Sequence, residues 1–447
     1  MTTESFTSGV VPGGWPVLGH VWPLMSRPIA FLTSLPRYGD LVEMRLGTTH
    51  VYVPCHPELL RRTLTDDRLF DKGGKYYDRA REMAGNGVAT CAHKDHRRQR
   101  RLLQPAFQRA QLARYAAVME QEIADLTESW SSPQDIDAYP ELYRLALRTV
   151  TRTLFSAQVD DATVDRIRCS FDVVFSGFFR QMFLPRAVLR LPLPGNLRHR
   201  RALRHLRETM RQVIADSRAD NDENNVLAGL LAAHDAEGAQ VSDAELYDQT
   251  VTVLAAGSET VASTLTWALY LLSENADAQA QLQAEADAAL AKPVATWDDR
   301  TNLPYAQRVV NETIRLYPAG WLFTRVTTSD TELAGRTLKA GTTVVITPVP
   351  VHRNAGIFEH ADRFAPDRWL PERMAGLPQS AFAGFGGGAR KCIGDDYGIG
   401  ECTLALASIA KQWDVRTLPG ADVRPVPLAA FYRPRRLPLR LTRRERT

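Results

Sequence analysis

Up to about Pro318, most of the chain carries apolar residues every three to four positions, with polar or proline-rich breaks between the runs. That spacing predicts amphipathic helices, most clearly over residues 112–130, 203–216 and 246–272. Residues 41–46 and 51–53 alternate instead and predict a short hairpin, and beyond Pro318 two further β-like pieces cover 342–346 and 437–441. The fold class is therefore mainly α with a smaller β region. Ser242-Asp-Ala-Glu245 has capping-box spacing, and the helix it opens runs to about Ser273 without a proline. At about 1.5 Å per residue it would be roughly 45 Å long, enough to cross a whole domain. The polar run 220–225 predicts a solvated loop and no chemistry.

Composition narrows the class only modestly. The chain has 447 residues with no repeat and no Gly/Ser linker, so one domain over 1–447 is expected. Fifty-five basic residues against 51 acidic ones leave only +4, too little to suggest nucleic acid as a partner. The five cysteines, Cys55, Cys91, Cys169, Cys392 and Cys402, are scattered and include no C-x-x-C pair. They form neither a disulfide framework nor a zinc site, and a reducing cytoplasm fits them. No run approaches the roughly 20 apolar residues of a membrane span, and the N-terminus lacks a signal-peptide pattern. A cytoplasmic monomer without a membrane anchor is expected.

The chemistry starts at Phe385-Gly-Gly-Gly-Ala-Arg390-Lys-Cys392-Ile-Gly394. Glycines on both sides of Cys392 let the backbone turn tightly and bring its N–H groups near the sulfur. A single thiolate so held suits an axial haem ligand. These ten residues match F-x-x-G-x-R-x-C-x-G at every fixed position, and the chain resembles the cytochrome P-450 superfamily of haem-thiolate monooxygenases. The resemblance implies that fold, with haem b between a long central helix and the Cys392 loop.

Further motifs follow in the order the resemblance implies. Ala256-Gly257-Ser-Glu259-Thr260, midway along the predicted long helix, matches the oxygen-activation motif, with Thr260 hydrogen-bonding the reacting dioxygen and Glu259 relaying protons. Gly257 weakens a helix, which points to the close approach of a ligand. Val261 stands where the family usually has a second Thr or Ser. Glu312 and Arg315 share a helix face, and with Arg368 of Phe364-Ala-Pro-Asp-Arg-Trp369 they match a buried cluster that locks the cysteine loop. His96 and Arg100, in a basic helix where many members have Trp for His96, would face the haem propionates, as would Arg325 and Arg390. Phe385 opens the loop against the cofactor. Arg97, Arg98 and Arg101 would join Lys391 in a positive patch for an acidic ferredoxin, itself served by a ferredoxin reductase.

The predicted pocket lining comes from residues 76–91, 171–193 and 318–323, with Phe175, Phe178, Phe179, Phe183, Trp321, Leu322, Ala256 and Phe431 offering apolar surface. An apolar, compact substrate fits such a lining. The segments 12–20, 96–101, 257–263 and 366–373 resemble sesquiterpene-oxidising members from actinomycetes. They imply oxidation of a sesquiterpene hydrocarbon with O2, pentalenene first, at a methyl carbon to the alcohol and then the aldehyde, for pentalenolactone-type antibiotics. Another terpenoid or apolar secondary metabolite is the alternative substrate. Two other classes stay open. Asp66, Asp67 and Asp71, or Asp395 and Asp396, would bind magnesium in a terpene cyclase. A non-catalytic haem sensor would not need the Glu259–Thr260 pair.

Overall fold

The computed structural model describes residues 5–155, 159–219, 225–232 and 241–445; the predicted polar loop therefore lies outside the described residues except for Asn225. Strands β1 (Ser8–Val10), β2 (Leu41–Leu46), β3 (Thr49–Pro54), β4 (Phe70–Asp71), β5 (Phe323–Thr327) and β6 (Thr343–Ile346) form one sheet in the order β1-β2-β3-β6-β5-β4. The hairpin expected from alternation is β2–β3, antiparallel from Leu41 opposite Pro54 to Leu46 opposite Thr49. Gly47 sits at φ +66°, a backbone shape that two-residue hairpin turns need and glycine adopts without a steric penalty. Parallel pairing of β3 with β6 brings the late segment 323–346 beside the N-terminal strands, and so places Arg325 on β5. The predicted strand at 437–441 is found at Pro438–Arg443, antiparallel to Trp413–Thr417.

Helices make up most of the remainder, and those that build or support the site are α1 (Gly74–Ala84), α2 (His93–Leu103), α3 (Arg109–Ser129), α4 (Ala138–Phe155), α5 (Asp161–Ser176), α6 (Phe178–Phe183), α7 (Pro194–Ala219), α8 (Asp243–Ser273), α9 (Pro304–Leu316) and α10 (Asp395–Gln412). The capping box of α8 is complete, with Ser242 Oγ accepting from Glu245 N at 3.3 Å and Glu245 Oε2 accepting from Ser242 N at 3.2 Å. Every residue of α8 from Val261 to Leu269 is buried, as expected of a helix apolar all round, and α4, α9 and α10 pack against it. α9 starts at Pro304, and its next two N–H groups, on Tyr305 and Ala306, donate to the Glu285 carboxylate at 2.6 and 2.8 Å. No helix of the described residues is long and apolar enough to cross a membrane.

Gly257 corrects one expectation. A Cβ there would lie 2.8 Å from Val150 Cγ2 on α4, so the glycine is required by the approach of two helices as well as bordering the central cavity.

Candidate active site

A cavity of ≈ 450 Å³ lies between α8 and the Cys392 loop. Cys392, Phe385, Ala256, Gly257, Thr260, Phe178, His96, Arg100, Arg325 and Arg390 all line it, so ten of the predicted site residues meet at one place. The loop reaches it through Gly386 and Gly388, at φ +72° and +64°. A Cβ on Gly388 would come within 2.9 Å of Leu64 O, so only glycine lets the loop lie on the helix Pro57–Thr65. Cys392 N donates to Phe385 O at 2.9 Å, closing the turn. Desolvation in the cavity pushes the thiol pKa up, and the Gly394 N–H together with the charges of Arg100 and Lys391 pulls it the other way.

Thr260 Oγ1 donates to Ala256 O at 2.5 Å, which engages its proton and leaves its lone pairs for the cavity. Glu259, about 100° further round the helix, does not line the cavity. It is buried against Arg433, Nε at 3.5 Å, and the Tyr139 hydroxyl. Burial raises its pKa to about 7, against the opposing pull of Arg433 and Tyr139. Arg433 in turn bonds Asp172 at 3.1 Å, whose side chain is half exposed, so a chain of charged groups links Glu259 to the surface. Tyr139 and Arg433 escaped the sequence reading because nothing local marks them.

The cationic wall of the cavity fits an anionic group. Arg325 is buried with Nε and Nη1 lacking partners, an arrangement that is costly unless an anion lies there. His96 is neutral, its pKa lowered to about 3 by burial and then by Arg390 and Lys72. Arg390 is more committed than expected, for Nε donates to Asp67 at 2.7 Å, Nη2 to Asp71 at 3.0 Å and Nη1 to Cys91 O at 2.9 Å. Lys72 was missed. It lines the cavity with Nζ 2.7 Å from Ala89 O, and a lone lysine before two glycines carries no signal. These residues fit a haem: the Cys392 sulfur could ligate its iron, and Arg325, His96, Arg100 and Lys72 could take its carboxylates.

Glu312 and Arg315 are fully buried and bonded twice, Nε to Oε2 and Nη2 to Oε1, both at 2.8 Å. Arg368 Nε reaches Glu312 Oε1 at 3.3 Å, and Trp369 Nε1 reaches Oε2 at 3.0 Å. His352, also missed, joins this cluster to the cysteine loop. With its pKa lowered to about 3 by burial and the Arg315 charge, it is neutral; Nδ1 donates to Arg315 O at 3.2 Å and Nε2 accepts from Ala383 N at 3.0 Å, two residues before Phe385.

Several expectations are overturned. Trp321 and Leu322 do not line the cavity but are buried in the core, Trp321 tilted against Phe179, and Ala319, Gly320 and Phe323 face the cavity in their place. Of the aromatic set, Phe175, Phe178 and Phe431 line it, whereas Phe179 and Phe183 do not. Arg98 is ion-paired with Glu245 at the start of α8, and Lys391 with Asp395 at 2.6 Å, so the predicted ferredoxin patch reduces to exposed Arg97 and Arg101. The acidic pairs hold the chain's own cations: Asp67 and Asp71 take Arg390, and Asp396 takes Arg300. No group of three or more metal-binding side chains occurs among the described residues, which removes the magnesium site of a cyclase.

The chain is similar to known proteins along nearly its whole length. The family described as Cytochrome P450 matches residues 11–437. The chain is 51% identical, over 99% of both chains, to a protein named pentalenene oxygenase from Streptomyces avermitilis. It is 44% identical to cyclooctatin synthase, over 95% of this chain and 94% of the relative, and 40% identical to cyclooctat-9-en-7-ol 5-monooxygenase, over 94% and 92%, both from Streptomyces melanosporofaciens.

Proposed function

The chain belongs to the cytochrome P450 family and is a monooxygenase that uses haem iron, and from that premise we propose that it oxidises a sesquiterpene hydrocarbon, pentalenene before others, at a methyl carbon to the alcohol and then the aldehyde. The observation that carries this reading is the cavity, where Cys392 and Thr260 share one space whose substrate side is aromatic and aliphatic through Phe175, Phe178, Ala256 and Phe431. The full-length relation to a pentalenene oxygenase supports it.

In this reading the haem, when bound, supplies dioxygen activation driven by electron donation from a thiolate. Cys392 would ligate its iron, and Arg325, His96, Arg100 and Lys72 would hold its carboxylates, with Arg390, held by Asp67 and Asp71, adding charge beside them. Glu312, Arg315 and Arg368 act on the fold, holding the polypeptide that leads into the loop. The lone pairs of Thr260 Oγ1 accept a hydrogen bond on the cavity side, and Glu259, with its pKa raised to about 7, gives and takes a proton while Arg433 stays charged and holds the carboxylate in place. The apolar side chains orient the hydrocarbon and exclude water. Electrons come from a ferredoxin and its reductase, and the enzyme works as one cytoplasmic domain, residues 1–447, in monomeric form.

The test is a titration of the ferric enzyme with pentalenene, followed by gas chromatography of products made with ferredoxin and reductase. The Soret band should move to shorter wavelength, and alcohol should appear before aldehyde. A fatty acid or macrolide that binds more tightly than any sesquiterpene would overturn the substrate assignment.

A further inference from the structure

Two side chains of the cavity lining, outside the cationic wall, carry hydrogen-bonding groups that no described residue uses. Gln181 on α6 is 6% exposed, lines the cavity and makes no side-chain hydrogen bond among the described residues. His199 on α7 is 9% exposed and lines the same cavity, and its Nδ1 is buried without a partner among them. Buried polar groups are nearly always hydrogen-bonded, so two that are not, on one cavity, mark a place for a polar group of the ligand.

Packing brings the two elements together. Phe178 and Gln181, three residues apart, form the cavity face of α6, and Tyr76 of α1 stands edge-on to Phe178 with ring centres 4.9 Å apart. Arg180 Nη1, between them in sequence, donates to Asn196 Oδ1 at 3.3 Å, one turn before His199 on α7. Asn196 in turn donates to Val188 O at 2.8 Å and Leu191 O at 3.1 Å, which pins the connection from α6 to α7. α6 packs on α1, and α7 on α5 and α8, whereas the Cys392 loop lies on Pro57–Thr65. Gln181 and His199 therefore belong to a different part of the cavity from the sulfur.

The charges select an uncharged partner. His199 is neutral, its pKa lowered to about 4 by burial and then by the Arg180 and Arg79 charges. Arg79 lines the cavity but is ion-paired with Glu82, and Arg180 does not line it. A carboxylate would find no unpaired cation beside His199 among the described residues, whereas a neutral imidazole and an amide each offer a donor and an acceptor. We propose, on the terpenoid reading above, that the cavity takes a second class of substrate beside the bare hydrocarbon: a neutral terpenoid already bearing a hydroxyl or carbonyl oxygen away from the carbon to be oxidised, with the Gln181 amide and the His199 imidazole as partners of that oxygen. The held oxygen takes no part in the reaction and stays on the product. A hydrocarbon that fills the cavity drives water off both groups and leaves them unpaired, a cost that an oxygen on the substrate removes. Held at one end, the substrate presents a fixed carbon toward Thr260 and Cys392.

The experiment is a Soret titration of the ferric, haem-loaded enzyme with two matched pairs, cedrene with cedrol and valencene with nootkatone. It is repeated in Gln181→Met and His199→Phe, which keep the bulk of the side chains, and the carbon monoxide difference spectrum shows that each variant is folded and loaded. For each pair, the ratio of hydrocarbon Kd to oxygenated Kd in the wild type is divided by the same ratio in the variant. Ligand hydration cancels, and what remains is the hydrogen bond. At least one pair should give about tenfold in at least one variant. A value near one for both pairs in both variants overturns the oxygen site. Laurate that binds more tightly than cedrol and nootkatone, and loses that advantage in the same variants, also overturns it, because the groups would then serve an anion. If hydrocarbons bind and are oxidised while the quotient stays near one, the oxygen site alone has failed; if none of the four terpenoids binds, the terpenoid reading has failed with it.

Discussion

Thr260 and Glu259 are neighbours in sequence with different surroundings, one bordering the cavity and the other buried against Arg433 and Tyr139. Thr260→Ala should keep the Soret shift on substrate binding but lower the product formed per reductant consumed several-fold, because the cavity loses its hydroxyl. Unchanged coupling would remove Thr260 from the proton path. A second buried acid, Glu401 on α10, has no cation beside it among the described residues, and burial raises its pKa to about 8 against the weaker pull of the Thr149 hydroxyl. A raised carboxyl pKa means that the folded state binds the proton more tightly than the unfolded one. Stability from Glu401 is therefore full below its ordinary value of 4.5 and is lost as pH rises through about 8. Glu401→Gln should flatten the thermal midpoint against pH between those limits, and a curve parallel to the wild type would show that Glu401 does not titrate in this window. The acid before Thr260 is legible in the sequence, but its burial, its pKa and its arginine are not, since Arg433 lies 174 positions further on.

At the level of elements, the long helix and its capping box follow from local pattern, because a Ser-x-x-Glu start and an unbroken apolar run act within one segment. The reason for Gly257 is non-local. Gly257→Ala should destabilise by about 1 kcal/mol, since overpacking against Val150 costs about 1–3 kcal/mol and the better helix propensity of Ala offsets up to about 1. Val150→Ala in the same chain should abolish that loss, and a chemical-denaturation cycle measures it. An additive cycle would show that the two helices do not meet at this pair. The cysteine loop and the Glu312 cluster each have a sequence signature, whereas their connection through His352 has none. His352→Phe keeps the ring beside Phe382 but leaves the Ala383 N–H without its acceptor, a cost of about 1–3 kcal/mol. Haem should be lost faster from this variant at raised temperature; an unaltered rate would sever the proposed link.

Across the whole molecule, the surfaces needed reassignment more than the interior. Arg97 and Arg101 stay exposed on α2 after Arg98 and Lys391 take carboxylate partners. Reversing both to Glu should slow ferredoxin-driven reduction, most strongly at low salt, and leave dithionite reduction unchanged. Equal loss with both reductants would assign these residues to the fold. What the sequence by itself determined is the family, the helical class and the motifs with short spacing: the Cys392 loop, Thr260 and the Glu312–Arg315 pair depend on residue types a few positions apart, which local backbone geometry demands. The partners of those groups were decided by tertiary structure alone. Trp321 went to the core, Lys72 to the cavity, Arg433 to Glu259 and Arg98 to Glu245, because long-range packing chooses which of many apolar and charged side chains end up facing one another, and spacing along the chain carries no record of that choice.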